Sequence, residues 1–575
     1  MGKDQERYPS AFCSSYSSRD KTWIKDEKKE KIFGLKPWCF ELLFFAVAFL
    51  FLFLSYCVVK SLNFSYTPKN GAIARVYGSI LLAGILVASF VLLFKHKLTY
   101  PKLFFFIFLA GFVLRLTYML YTDVHVRQYD TFPSTGDGHY AYALSFYETG
   151  KLPNYHIRVD DIYQFYHPPL NAFIQGLFMH LFEGINVFSN LESDTEILYG
   201  SCMILASFYM SLTSYFFIKT VLLFPFSNKA KTYSVLFLSL YPRLIQLSGQ
   251  LNNDGLSILF CSIALYFFFL WFDKKKSYLN ISLSALFVGL ALMSKMSAST
   301  ICLGMAFGFL YELIKVIRKK EDSITLKNLI FQYVVFFVIA APIGLWWQFY
   351  AHYVYGLPFN FVFSNLRATL FTGSRDWVLR NRSSYIDRFD DVNSGIIYTS
   401  TAFNIFARYI LPFYFPDLFG SNGAFCNSFA NYNILLYALR SSIYGEFFFK
   451  GVFLQLIAVF TNIFIYVAYF SLWVSGIYMR IKKIRFGEEG LWMAFSFLGS
   501  ALMFLYLQIS MPYGCSMDFR YIVPVLVPVS YFLSYSIDHI ESKKKEGFGR
   551  GLNLTLQVST IGFIALSSFF YLAAI

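Results

Sequence analysis

Asp123-Val124-His125-Val126-Arg127-Gln128-Tyr129-Asp130, then Gly136-Asp137-Gly138-His139-Tyr140, then Tyr166-His167-Pro168-Pro169-Leu170-Asn171, mark the polar interval around which this chain is arranged. It separates apolar segments at 103–121 and 168–188, each near the ~20 residues a bilayer crossing needs. Asp123, Asp130, Asp137, Asp160 and Asp161 fall within it, with His125, His139, His156 and His167. Loops carry chemistry when a rigid scaffold holds their ends, and the scaffold here reads as membrane helices.

Composition supports that scaffold. The 575 residues are 57% hydrophobic and only 14% charged, with a mean hydropathy of +0.50, whereas soluble domains are about a quarter charged. An all-α polytopic membrane protein is predicted. The formal net charge of +15 comes as short Lys/Arg runs between apolar segments. Those are topology signals, so nucleic acid is not an expected partner. The Cys residues are scattered without a CxxC pair or metal-ligand spacing, and no metal site is predicted. No Walker loop, GxGxxG, HExxH or GxSxG stands in a fitting context, which leaves nucleotide-driven transport and the common hydrolase chemistries without support.

Residues 1–38 carry charges of both signs and many Ser, and read as a cytoplasmic tail. Residues 39–575 read as one integral-membrane domain. Its apolar segments are predicted at 39–59, 76–94, 103–121, 168–188, 198–226, 232–250, 255–272, 278–296, 299–317, 328–349, 452–478, 490–509, 521–538 and 553–574. Lys95, Lys97 and Lys102 follow the second segment. Placing them inside puts 122–167 outside, as a first external loop holding short helices. The same rule places Asn252-Asn253-Asp254, Lys295, a second external region at 350–450, and Arg520 outside. One conflict arises: with Lys229 and Lys231 inside, 168–188 and 198–226 cannot each cross once.

Charged groups at a membrane edge are costly unless paired or wet, so a cluster there is a functional signal. Asp130 and Asp137 lie seven apart across a Pro-Ser-Thr-Gly turn and can face one pocket, where either would serve as general base. The plainer alternative is helix capping, for which Asp137 before Gly138-His139-Tyr140 is well placed. His167 either touches substrate or ends the loop where Pro168-Pro169 opens a helix. Asp254 is a substrate contact or the cap of the next helix. Lys295, alone between two long apolar runs, suits a lipid-linked phosphate or snorkels to the interface. Arg520 has the fork for phosphate or pairs with Asp518.

The motifs together resemble a family. Gln128-Tyr129-Asp130, Asp137-Gly138-His139, Leu152-Pro153 and Gln164-Phe165-Tyr166-His167-Pro168-Pro169-Leu170 resemble the first external loop of bacterial family-39-type glycosyltransferases. That group includes the protein O-mannosyltransferases and the aminoarabinose transferases of lipid A. The resemblance continues in order through Gly249-Gln250-Leu251-Asn252-Asn253-Asp254, Met293-Ser294-Lys295-Met296-Ser297, Ser442-Ile443-Tyr444-Gly445-Glu446-Phe447 and Tyr513-Gly514-Cys515-Ser516-Met517-Asp518-Phe519-Arg520-Tyr521. It implies a GT-C-type helical bundle in the plasma membrane and an active site on the non-cytoplasmic side. The donor would be a polyprenyl-phosphate sugar and the acceptor a protein, glycan or lipid hydroxyl, with inversion at the anomeric carbon. A first-loop acid would be the base. Asp130 matches that position best, but better-known members carry Asp-Glu near His-Tyr where this chain has Asp137-Gly138-His139-Tyr140, which leaves Asp130 and Asp137 both open. His139, His167, Asn253, Asp254, Lys295, Glu446 and Arg520 are the expected substrate contacts. No cofactor is required, although a divalent cation would be compatible. The rival reading is a non-catalytic transporter or flippase of lipid-linked sugars, against which stands the lack of internal repeats.

Overall fold

The computed structural model describes residues 37–61, 68–122, 127–128, 138–152, 165–183, 194–318, 324–357, 359, 434–445, 452–510, 518–542 and 547–573. Among them the chain is helical, with no β-strand. In order the helices are α1 (Pro37–Ser61), α2 (Pro68–Phe94), α3 (Tyr100–Tyr121), α4 (Gly138–Thr149), α5 (Leu170–Glu183), α6 (Asp194–Leu222), α7 (Asn228–Leu240), α8 (Pro242–Gln246) and α9 (Asp254–Phe269). There follow α10 (Tyr278–Ser294), α11 (Ser299–Ile317), α12 (Leu326–Tyr355), α13 (Ile434–Tyr444), α14 (Val452–Ile481), α15 (Glu488–Ser510), α16 (Leu526–Ser542) and α17 (Gly547–Ala573). Among the described residues eleven helices are long and apolar enough to cross a membrane. This is a multi-pass, all-α membrane protein.

The predicted segmentation needs correction at three places. Within the segment at 168–188 the described helix is the 14-residue α5, about 21 Å long at 1.5 Å per residue and shorter than a ~30 Å hydrocarbon core. Segment 232–250 breaks where Pro242 holds Tyr241 extended at φ −61°, ψ 125°. Proline lacks the N–H that would continue the helix and disfavours helical backbone before it. Segment 278–296 ends at α10, 17 residues long, with Lys295 extended at φ −161°.

Ion pairs identify which helix ends lie together. At one end of the bundle Lys219, closing α6, meets Glu41 of α1 at 2.9 Å. Lys229, opening α7, meets Glu541 of α16 at 2.7 Å. Lys276 meets Glu312 at 3.1 Å, and Lys315 of α11 meets Glu488 of α15 at 3.0 Å. Because α5 does not cross, Lys229 and Lys231 fall at this same basic end and the topology conflict disappears. The opposite end collects His139, His167, Asp254, Lys295 and Arg520.

Helices approach closely where glycine permits it. A Cβ on Gly499 of α15 would stand 2.2 Å from the backbone nitrogen of Gly304 on α11. Small residues at such crossings supply the packing that drives helix association in lipid. Deeper in the bundle, Arg115 is wholly buried; its Nε donates to Ser211 Oγ at 3.1 Å and its Nη1 to the Ser239 carbonyl at 2.8 Å. It ties α3 to both α6 and α7.

Gly499→Ala should destabilise the detergent-solubilised protein by about 1–3 kcal/mol, as overpacking does. Gly476→Ala, where a Cβ meets nothing within 4 Å, should stay within about 0.5 kcal/mol. Thermal unfolding of the two variants side by side checks this, and equal stability would contradict the crossing.

Candidate active site at one end of the bundle

Three turns build the floor of the site. The first is the break after α8, where a 3-10 turn Leu247–Gly249 hands over to Asn252-Asn253 and the start of α9. Gln128 clasps this turn from both sides: its Nε2 donates to the Gly249 carbonyl at 2.7 Å, and its Oε1 accepts from Leu251 N–H at 3.2 Å. Gln175 of α5 donates to the Leu251 carbonyl at 2.7 Å and is itself held by Asn171 at 3.0 Å. The first loop and the segment after His-Pro-Pro are thereby fixed against residues 249–251.

Asp254 is the first residue of α9 and is 1% exposed. Asn252 Oδ1 accepts from its backbone N–H at 3.1 Å, so the local capping is done by Asn252. The Asp254 carboxylate is left for other partners, and the positive end of the helix dipole favours its charge. Oδ1 accepts from Lys295 Nζ at 2.7 Å, and Oδ2 lies 3.7 Å from Arg520 Nε. The Tyr521 ring lies against both cations, 5.1 Å from Lys295 Nζ and 5.2 Å from Arg520 Cζ, a cation–π arrangement. One carboxylate thus faces two cations, and all three groups are buried. Lys295 is 6% exposed; it is a paired group of the site and does not snorkel.

Arg520 does not turn its guanidinium to its chain neighbour Asp518. The Asp518 side chain, 0% exposed, pairs with Arg243 Nη2, while its Oδ1 accepts the backbone N–H of Arg520 at 2.7 Å. Arg243 is braced by Gln246 at 2.7 Å. Neither Arg243 nor Asp518 stands out as a site residue in the sequence. The available signal is the lone cation directly after Pro242 inside an apolar segment, a position that demands a partner.

Two histidines close the site. Gly138, at φ +74°, takes the left-handed backbone that suits glycine and leads into His139 at the start of α4. His139 and His167 stack with ring centroids 5.4 Å apart and planes 15° from parallel. The chain around His167 is pinned by Tyr142 Oη on its carbonyl at 3.0 Å and by Trp347 Nε1 on the Tyr166 carbonyl at 3.1 Å. Burial, then the Lys295 and Arg520 charges, hold His139 well below its ordinary 6.5. Burial, then His139 and Lys295, do the same for His167. Both rings are neutral at pH 7. The side-chain amide of Asn253, 3% exposed, has no hydrogen-bond partner among the described residues, and nor does His167 Nδ1. A donor, an acceptor and a ring nitrogen therefore remain for a polar ligand.

Of the predicted site residues, the structure brings together His139, His167, Asn253, Asp254, Lys295 and Arg520. Asp130, Asp137 and Glu446 lie outside the described residues. Among the described residues no group of three or more His, Cys, Asp or Glu could hold a metal ion.

Residues 166–347 match the family model of dolichyl-phosphate-mannose-protein mannosyltransferases. Over those residues the chain is similar to that family. The match covers less than half of the chain, and within it fall His167, Asn253, Asp254 and Lys295. Arg520 and the first-loop acids fall outside it, and Arg520 joins the cluster by its contact with Asp254. The search of curated proteins found no match to this chain.

The neutral histidines carry a pH signature. An imidazole whose folded pKa is depressed binds fewer protons than the unfolded chain below pH 6.5, so its contribution is complete above that value and is lost as pH falls. The apparent melting temperature should therefore drop on acidification below about pH 6.5. In His139→Gln/His167→Gln that part of the drop should vanish, and an unchanged pH profile in the double variant would contradict the assignment.

Proposed function

We propose that this protein transfers a sugar, mannose or a related one, from a polyprenyl-phosphate donor to an acceptor hydroxyl, with inversion, at the outer face of the plasma membrane. The observation that carries the reading is the gathering of two buried cations, Lys295 and Arg520, at the carboxylate of Asp254. A polyprenyl-phosphate sugar is a phosphodiester, and its departing lipid phosphate gains negative charge as the glycosidic C–O bond breaks. Preorganised cations at that oxygen stabilise the charge where it develops, and the arginine fork suits phosphate geometry. Asp254 keeps the two cations together between turnovers and limits the cost of burying them.

In this scheme Asp130, or Asp137 in its place, removes the proton from the acceptor hydroxyl as the oxygen attacks C1 from the face opposite the phosphate. The Asn253 amide and the neutral imidazoles of His139 and His167 bind sugar hydroxyls, for which neutral donors and acceptors suffice. Glu446, following α13, completes the substrate contacts. The basic end carrying Lys219, Lys229, Lys276 and Lys315 is then cytoplasmic, which sets the site on the other side. Charges that gather at one membrane edge, with no internal repeat, favour a transferase over the rival transporter.

The test uses purified protein in liposomes with a radiolabelled polyprenyl-phosphate sugar and a crude envelope acceptor fraction. Label should move to the acceptor. Lys295→Met and Arg520→Gln should each lower turnover about 10²–10³-fold, the size expected for removing one charge-stabilising donor. Asp130→Asn should abolish transfer without lowering expression; if it transfers normally, Asp137→Asn decides whether the base is in this loop. Label that crosses the bilayer without transfer would overturn the reading in favour of transport.

A further inference from the structure

Five buried charges alternate in sign across the floor of the site. Arg243 pairs with Asp518, Asp518 holds the backbone of Arg520, Arg520 faces Asp254, and Asp254 holds Lys295. Arg520 is only two residues from Asp518, and the Asp518 carboxylate is the acid closest to it in the chain. Its guanidinium nevertheless points to Asp254, 266 positions away in the sequence (520 − 254). The geometry gives the reason, since the charge of Asp518 is already balanced by Arg243 within a wholly buried pair. The surrounding structure holds that pair rigidly. Ser441 Oγ of α13 accepts the Phe519 N–H at 2.9 Å, Tyr241 Oη donates to Ser442 Oγ at 2.9 Å, and Gln246 braces Arg243.

We infer that Arg243 and Asp518 are a positioning pair, with Arg243 neutralising Asp518 so that the Arg520 guanidinium is presented to the lipid phosphate. The inference rests on the reading that Arg520 and Lys295 receive that phosphate. Arg243 has no contact with the ligand in this scheme; it acts by keeping a buried anion from recapturing the arginine beside it. Asp518 has two separable jobs, a charge that needs balancing and an oxygen that caps Arg520 N–H. Asparagine would keep the capping oxygen and remove the charge.

That separation supplies the experiment. Binding of polyprenyl phosphate to the purified full-length protein in nanodiscs is measured for four variants, with thermal unfolding as the folding check. Arg520→Gln should weaken binding about tenfold or more; if it does not, the phosphate reading itself fails, whatever the pair does. Given that loss, Arg243→Gln should also weaken binding by a similar factor, because Asp518 then draws Arg520 away. Arg243→Gln/Asp518→Asn should restore binding to within about threefold of wild type, and adding Arg520→Gln to it should abolish the recovery. A pair that served only stability would lower the melting temperature without this loss and rescue. If Arg243→Gln does not fold, the double variant remains decisive: retained, Arg520-dependent binding upholds the inference. Weak binding in the folded double variant overturns it, because Arg243 would then contribute to the ligand directly.

Discussion

The carboxylate of Asp254, shared between Lys295 and Arg520, is the interaction on which the site depends. Two cations this deeply buried would be prohibitive without an anion between them. The shared carboxylate also fixes geometry: α9 begins, α10 ends and the 3-10 turn Phe519–Val525 begins at one point, because each contributes one of the three groups. The crossings beneath, closed by Gly304 and Gly499 and strapped by Arg115, hold those three ends in register.

The helical class and most spans were legible in the sequence because lipid imposes a simple rule: long apolar runs, with lysines at one set of ends. The exceptions have local causes. Pro242 breaks a run that hydropathy reads as continuous, and the described helix after His167-Pro168-Pro169 has 14 residues. Hydropathy averages over a window and cannot register a missing N–H or a helix that stops early.

The site was legible in part. Lys295 and Asp254 were visible as lone charges between apolar runs, and Arg520 as a fork within a conspicuous polar motif. Their pairing was not, since it joins segments hundreds of residues apart. The sequence offered Asp518 as Arg520's partner because the two are neighbours, and the structure gives Asp518 to Arg243. The histidines were visible, but their stacked, neutral state follows from burial beside two cations, which no linear pattern records. The proposed base, Asp130 or Asp137, comes from the motif, since both lie outside the described residues.

The sequence separation of the three charged groups bears on biogenesis. Lys295 lies only 41 residues beyond Asp254, on the far arm of the α9–α10 hairpin, so the two can enter the bilayer as an already neutralised unit. Neither charge then has to partition into lipid by itself, where an isolated ion costs several kcal/mol. Arg520 arrives only after α15, long after the ribosome has passed the hairpin. The hairpin is thus electrically balanced while it is being threaded, and the second cation joins Asp254 only after α15 has been made.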